Sequence, residues 1–155
     1  MQISDLADMV PELMAKHPTH TWVRTSSKNF PADLVLEIAP DLEPERKARV
    51  QVTTSLEVYF MDFAGHGVTD FAYEDEDRRE VLGDQIDLAA RVTLGPTRVI
   101  LERAEDLLVR STLIVDPDGP GREEFVTSYT PAYLTARLFR REVVREVLEF
   151  RGLHP

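Results

Sequence analysis

Apolar residues recur three or four positions apart near the start of the chain and again in its middle, which is the spacing of one face of an α-helix. The first segment, residues 4–16, predicts an N-terminal helix with Ser4 as its N-cap and a kink or break at Pro11. The second segment, residues 74–93, begins with four consecutive acidic residues, which favour a helix N-terminus. Gly95, followed by a proline, ends this second predicted helix.

The last part of the chain carries the same periodicity and predicts its longest helix. This helix begins with Thr130 as N-cap and a proline at the first helical position, and it runs to about Phe150. One apolar stripe supplies a core face, and further apolar residues point elsewhere among arginines. They are either covered by neighbouring elements or form an interface with a partner or a second copy of the chain. These candidate interface residues are Leu134, Leu138, Val144 and Leu148.

Apolar and polar residues alternate in shorter segments, as they do along a half-buried β-strand. The clearest alternation covers residues 50–60 and predicts one strand. The glycines on either side of His66 then predict a turn, and residues 68–73 predict the second strand of a hairpin. The other predicted strands are residues 20–24, 34–38, 97–102 and 107–115.

The predicted order of elements is α-β-β-β-α-β-β-α. Short turns between successive strands indicate an antiparallel sheet of about five strands, with helices packed on one face, and therefore an α+β fold. The sequence contains no internal repeat and no Gly/Ser-rich linker. We therefore expect a single domain that spans residues 1–155.

The composition excludes several classes of function. The chain contains no Cys, which excludes disulfides, thiolate metal sites and a cysteine nucleophile, and its four His show no metal-ligand spacing, so we expect no metal and no cofactor. A net charge of -10 repels phosphate backbones and anionic lipid headgroups, so nucleic acids and membranes are not the expected partners. The start of the chain lacks the features of a signal peptide, and we expect a cytoplasmic protein.

Negative charge is concentrated in the middle of the chain, where nine acidic residues and two arginines lie between Asp62 and Asp87. One interpretation is a solvated helix N-terminus that improves solubility. The other is a docking surface for a basic protein partner, because clustered charge raises encounter rates and selects against wrong partners. The candidate partner-binding residues are Asp62, His66, Asp70, Glu74, Asp75, Glu76 and Asp77.

The residues able to carry chemistry form no recognised catalytic motif. Asp62, His66 and Asp70 lie around the predicted hairpin turn. Two carboxylates beside a histidine could hold a metal or tune a general base, but the sequence favours a plain surface turn. The glycine-containing loop of residues 116–121 lacks a following lysine, and no serine lies in a G-x-S-x-G elbow. We therefore expect no catalytic residue. A deep pocket containing a strongly perturbed Asp62 or His66 would favour the alternative of an enzyme or a small-ligand-binding domain.

Small size, acidic charge, the α+β pattern and the absence of catalytic motifs make the chain resemble the immunity proteins that neutralise bacterial polymorphic toxins. The resemblance implies a tight inhibitory complex in which the acids of residues 62–87 cover a basic surface of the toxin domain. The order of elements also resembles type III secretion chaperones, which are acidic dimers that hold an unfolded segment of an effector in apolar grooves. An immunity protein binds a folded domain, whereas a chaperone binds an extended peptide.

Overall fold

Two helices and nine strands make up the residues that the computed structural model describes, 1–129 and 142–154. In chain order they are α1 (Ile3–Met14), β1 (His20–Thr25), β2 (Leu34–Pro40), β3 (Ala48–Val52), β4 (Val58–Phe63), β5 (His66–Phe71), α2 (Asp75–Leu94), β6 (Thr97–Ala104), β7 (Leu107–Val115), β8 (Glu123–Ser128) and β9 (Val143–Phe150). This combination of helices and antiparallel strands confirms the predicted α+β class.

The chain forms two compact units, each with its own sheet. The first unit contains Met1–Phe63 and Gly67–Leu94 together with His154, and the second contains Ala64–His66 and Gly95–Leu153. The division describes the packing within each unit. It does not test whether the chain folds as one domain, which stays a prediction.

The sheet of the first unit has the strand order β1-β2-β3-β4-β5, so each strand lies beside its neighbour in sequence. Neighbouring strands from β1 to β4 are antiparallel, with Leu36 opposite Val50 and Val50 opposite Met61. Helix α2 packs on β2, β3 and β4, and α1 packs on α2. The predicted five-stranded antiparallel sheet is thereby confirmed. Its fully buried side chains include Leu34, Leu36, Ile38, Val50, Val52, Tyr59 and Met61.

Helix α1 is capped by Gln2 and not by the predicted Ser4. The backbone N–H of Gln2 donates to the Asp5 carboxylate over 2.6 Å, and the Asp5 N–H donates to the Gln2 carbonyl over 3.0 Å. This reciprocal pair satisfies donors that a helix N-terminus otherwise leaves free. Pro11 lies within the helix on its exposed side, and its carbonyl accepts a bond from the Ala15 N–H. The proline therefore neither ends nor splits α1.

The single strand predicted for residues 50–60 is wrong, because the chain reverses within it. Strands β3 and β4 are joined by a turn in which Leu56 has a φ of 63° and its N–H donates to the Thr53 carbonyl over 2.9 Å. The apolar alternation continues through this turn, which is why the sequence pattern conceals it. The reversal buries Tyr59 completely and leaves Phe60, which the pattern placed with the core, only half-buried.

The turn between β4 and β5 consists of Ala64 and Gly65, with φ angles of 50° and 86°. Two successive residues with positive φ are the requirement of the two-residue hairpin turn that best fits the twist of the strands. A Cβ added at Gly65 would also lie 3.3 Å from the Leu101 side chain. The predicted turn centred on His66 is therefore displaced, and His66 is the first residue of β5.

Helix α2 confirms the second predicted helix to within one residue at each end. Its buried residues, which include Leu82, Ile86 and Ala89, recur three or four positions apart and face the sheet. Acidic residues fill its first turn, where the positive end of the helix dipole stabilises them. The opposite face of α2 is thereby left for charged side chains.

The sheet of the second unit has the strand order β8-β7-β6-β9, and its neighbouring strands are antiparallel. The predicted helix is wrong over Val143–Phe150, which form strand β9 beside β6. In this pairing Val99 lies opposite Leu148. The ion pair between Arg103 and Glu146 joins the two strands over 2.9 Å. The remainder of that predicted helix, residues 130–141, lies outside the described residues.

Candidate partner-binding surface

The N-terminal turns of α2 expose a row of carboxylates. Glu74, Glu76 and Asp77 are exposed and form no ion pair within residues 1–129 and 142–154. Asp75 is also exposed, but its carboxylate lies 2.5 Å from the Arg78 guanidinium. The negative charge of this turn is therefore neutralised by protein cations only in part.

Further along α2, Glu80 and Asp84 continue this row on neighbouring turns. The pKa of the Asp84 carboxyl is raised, first by desolvation and then by the negative charges of Glu80, Asp87 and Asp70. Asp70 lies on β5, so the negative region extends from the helix to the last strand of the sheet. We name the exposed carboxylates of Asp70, Glu74, Asp75, Glu76, Asp77, Glu80 and Asp84 the acidic surface.

A shallow groove of about 290 Å³ lies beside the acidic surface and is lined by residues of α1 and α2 and by Lys16, which follows α1. Glu76, Glu80 and Asp84 contribute to it from successive turns of α2. Lys16 and Arg79 are the cations in its lining, and Arg79 pairs with Glu12 of α1 over 2.9 Å. Acids consequently outnumber bases in the groove.

An aromatic pair adjoins the acidic surface at the end of β5. The rings of Phe71 and Tyr73 are nearly parallel, with an angle of 6° between their planes and 6.2 Å between their centroids. The two residues are 50% and 65% exposed. Sequence reasoning missed this pair, although the alternation of Phe71-Ala72-Tyr73 in an extended segment places both rings on the same side of the chain.

Asp62 does not belong to the acidic surface. The pKa of the completely buried Tyr59 is raised to about 12 by desolvation and lowered in part by the charge of Arg78, which places Tyr59 on the sheet face that α2 covers. Asp62, three residues further along β4, points to the opposite face, where Arg49 is its cross-strand neighbour. Desolvation raises the pKa of Asp62 and the Arg49 charge opposes this effect. We leave Asp62 out of the partner-binding set.

His66 is completely buried, so we also leave its side chain out of the exposed set. Its Nδ1 lies 2.7 Å from the hydroxyl of Ser111, which is likewise fully buried, and its Nε2 has no hydrogen-bond partner among the described residues. Burial lowers the pKa of His66 to about 4, so the ring is neutral at pH 7. His66 belongs to the second unit, whereas Asp62 and Asp70 belong to the first, and the three do not form one described site.

The serine–histidine contact lacks two features of a hydrolytic site. No carboxylate orients the free nitrogen of His66 within the described residues, and neither side chain is accessible to a substrate. Neither His66 nor Asp62 is among the residues that line the cavities of about 480, 290 and 230 Å³. Burial is the first cause of the pKa shift of each residue.

His17, in the segment before β1, and His20, the first residue of β1, both contact α2. The Nε2 atom of His17 lies 2.6 Å from the Asp87 carboxylate, and the Nε2 atom of His20 lies 3.0 Å from the Thr93 hydroxyl. Desolvation lowers the pKa of His20, and the nearby His17 lowers it further. Over the residues that the structure describes, no group of three or more His, Asp or Glu has a geometry suited to a metal ion.

The loop after β7 is organised around its own aspartate. The carboxylate of Asp116 accepts the Gly121 N–H over 2.9 Å, and the Asp116 carbonyl accepts the Gly119 N–H over 3.1 Å. A Cβ added at Gly119 would lie 2.1 Å from the Asp116 carboxylate, so a larger residue there would displace this carboxylate. The glycines therefore serve an internal turn and do not surround an empty anion cradle.

The predicted apolar interface lies only partly within the described residues. Leu134 and Leu138 fall outside them. Val144 and Leu148 lie on β9, where Val144 is 61% exposed and Leu148 is partly buried opposite Val99. The helical face proposed for this interface is therefore wrong for Val144 and Leu148, because both belong to a strand.

Comparisons with protein-family models, with curated proteins and with solved structures give no match. Within the described residues, no helix has both the length and the apolar character needed to cross a membrane.

Proposed function

We propose that this protein is a non-enzymatic binding protein whose acidic surface docks on a basic protein partner, and that the partner is a toxin domain that it neutralises. The observation that carries the proposal is the row of exposed carboxylates on α2 and β5, most of which form no ion pair with a described residue. Desolvation raises the pKa of Asp84, and the charges of Glu80, Asp87 and Asp70 raise it further.

The geometry supports a macromolecular partner better than a small cation. The acidic surface extends over several turns of α2 and reaches Asp70 on β5, and its groove is open and shallow. Its carboxylates do not converge on one point in a metal-binding group. A spread of like charges of this kind steers a large, oppositely charged surface and rejects partners of the same sign.

The test uses the triple variant Glu76→Lys, Glu80→Lys and Asp84→Lys. These residues lie on successive turns of α2 and form no ion pair within the described residues, so their replacement reverses the surface without breaking an observed bridge. A partner captured from the native host with the unchanged protein is identified and purified. We expect its association rate at low salt to fall at least about tenfold with the variant.

The matched control is Glu45→Lys, Asp118→Lys and Glu142→Lys, three exposed acids outside α2 that also form no ion pair with a described residue. It changes the net charge by the same amount. An equal fall in association rate with both variants would show that only total charge matters and would refute a defined docking surface. Neutralisation is measured separately, as survival of cells that express the partner with and without this protein. A partner that is harmless alone would contradict the toxin assignment, and binding only to an unfolded partner would indicate the chaperone-like alternative.

A further inference from the structure

The aromatic pair of Phe71 and Tyr73 is held in place by the backbone. Between them, Ala72 is 2% exposed, and its N–H donates to the Glu57 carbonyl over 3.0 Å. The buried side chain and the hydrogen bond of Ala72 fix the side of the chain from which both rings project. The rings are therefore presented to solvent in a defined orientation, with their planes almost parallel.

Negative charge surrounds this pair. Asp70 and Glu74 flank it in sequence, and both carboxylates are exposed without an ion pair to any described residue. Asp70 also contributes to the field that raises the pKa of Asp84. Aromatic ring faces are themselves negative, so rings and carboxylates together favour a cation that can lie flat on a ring.

We infer that the Phe71–Tyr73 pair, with the Asp70 and Glu74 carboxylates beside it, binds an arginine side chain of the basic protein partner; this inference rests on the proposed function. A guanidinium is planar, stacks on aromatic faces and can donate two parallel hydrogen bonds to a carboxylate. A lysine ammonium is a compact and strongly hydrated charge that uses the ring faces less well. The ring faces therefore give this site a preference for arginine over lysine. The acidic surface without the rings could distinguish the two only by the geometry of hydrogen bonds to its carboxylates.

The contact uses side chains and not strand addition. Strand β5 lies at the end of the strand order of its sheet, which is where an extended peptide could add. Since the Ala72 N–H bonds toward Glu57, the Phe71 N–H points to the open side, and there it donates to the Asp70 carboxylate over 2.8 Å. This edge amide is thus already occupied, as natural sheets commonly protect their edges.

The experiment measures binding of fluorescently labelled oligoarginine and oligolysine of equal length by fluorescence anisotropy at low salt. With the unchanged protein we expect oligoarginine to bind more tightly than oligolysine. In the double variant Phe71→Leu and Tyr73→Leu, which keeps apolar side chains but removes the ring faces, we expect oligoarginine affinity to fall about two- to fivefold, the value of one exposed cation–π contact. Oligolysine affinity should change less.

Phe30→Leu is the matched control, because Phe30 is 62% exposed in the loop before β2. Far-UV circular dichroism and urea unfolding establish that each variant keeps its fold. Equal affinity of the unchanged protein for both peptides, or an arginine preference that survives the double variant, overturns the arginine site and leaves the acidic surface standing. If neither peptide binds the unchanged protein, the arginine site fails, whereas the proposed function is decided by the association rate of the captured partner.

Discussion

Acidification should destabilise this protein through His66, whose ring is completely buried. In the unfolded chain the ring takes up a proton near its ordinary pKa of 6.5, whereas in the folded protein burial lowers the pKa to about 4. Between these two values the unfolded chain binds more protons, so the stability due to the neutral ring is complete above pH 6.5 and is lost as the pH falls toward about 4.

The size of this loss follows from the two pKa values. The full difference corresponds to about 3 kcal/mol, since one pKa unit is worth about 1.4 kcal/mol. About 2 kcal/mol of it is lost between roughly pH 8 and pH 5, where carboxylates are still mostly ionised. That is a large part of the stability of an ordinary domain, about 5–15 kcal/mol.

The assay is urea unfolding at a series of pH values for the unchanged protein and for His66→Asn. Asparagine does not titrate, and it carries a polar group at a chain length that suits the contact between Nδ1 of His66 and the Ser111 hydroxyl. The variant loses the packing of the ring at every pH. The informative quantity is therefore how the difference in free energy of unfolding between the two proteins changes with pH. His154→Asn removes an exposed histidine and is the control. A difference that stays constant from about pH 8 to pH 5 would refute the burial argument.

Three further changes test the packing and electrostatics of the first unit. Asp84→Asn removes repulsion from Glu80 and Asp87, so thermal unfolding at pH 7 should show a gain of about 0.4–1 kcal/mol, and no gain would mean that solvent already screens these charges. Ile86→Ala empties a fully buried position of α2 and should cost about 2–5 kcal/mol in urea unfolding; a loss below about 1 kcal/mol would contradict the packing of α2 on the sheet. Asp5→Ala removes the carboxylate that accepts the Gln2 N–H and should cost about 0.5–2 kcal/mol, whereas an unchanged midpoint would argue against this cap.

The helices of the first unit could be predicted because their sequence signals agree with one another. In α2, acids mark the beginning, a helical apolar period marks the middle and Gly95 with the following proline marks the end. Strand ends were harder, since an alternating pattern does not show where a chain reverses. Leu56 fits the alternation of a strand and yet takes a positive φ in the turn between β3 and β4.

The predicted final helix failed over β9 because its residues satisfy two periods at once. Val143, Val147 and Phe150 fit a helical stripe, whereas Leu148 and Phe150 also fit the alternation of a strand. Which period prevails depends on pairing with β6, more than forty residues away, where Val99 lies opposite Leu148. Such a distant partner leaves no mark in a local pattern.

For the candidate site, the sequence located the charge but not its arrangement. Glu74, Glu76 and Asp77 are exposed as the acidic interpretation requires, and their role in binding stays a prediction. His66 was expected at an exposed turn and is buried beside Ser111, because the turn lies at Ala64 and Gly65. One residue of displacement along a strand is enough to exchange an exposed side chain for a buried one.

The acidic surface and the aromatic pair adjoin one another, and each departs from the usual pattern of a protein surface. Desolvation, and then the like charges of Glu80, Asp87 and Asp70, raise the pKa of Asp84, and Phe71 and Tyr73 leave at least half of their surface in water. Departures from the local rules of folding are expected where a protein is shaped for binding. Asp84→Asn should therefore stabilise the isolated protein and, if the acidic surface binds the proposed basic partner, weaken capture of that partner. If it stabilises the protein and leaves partner affinity unchanged, the repulsion around Asp84 has no connection with binding.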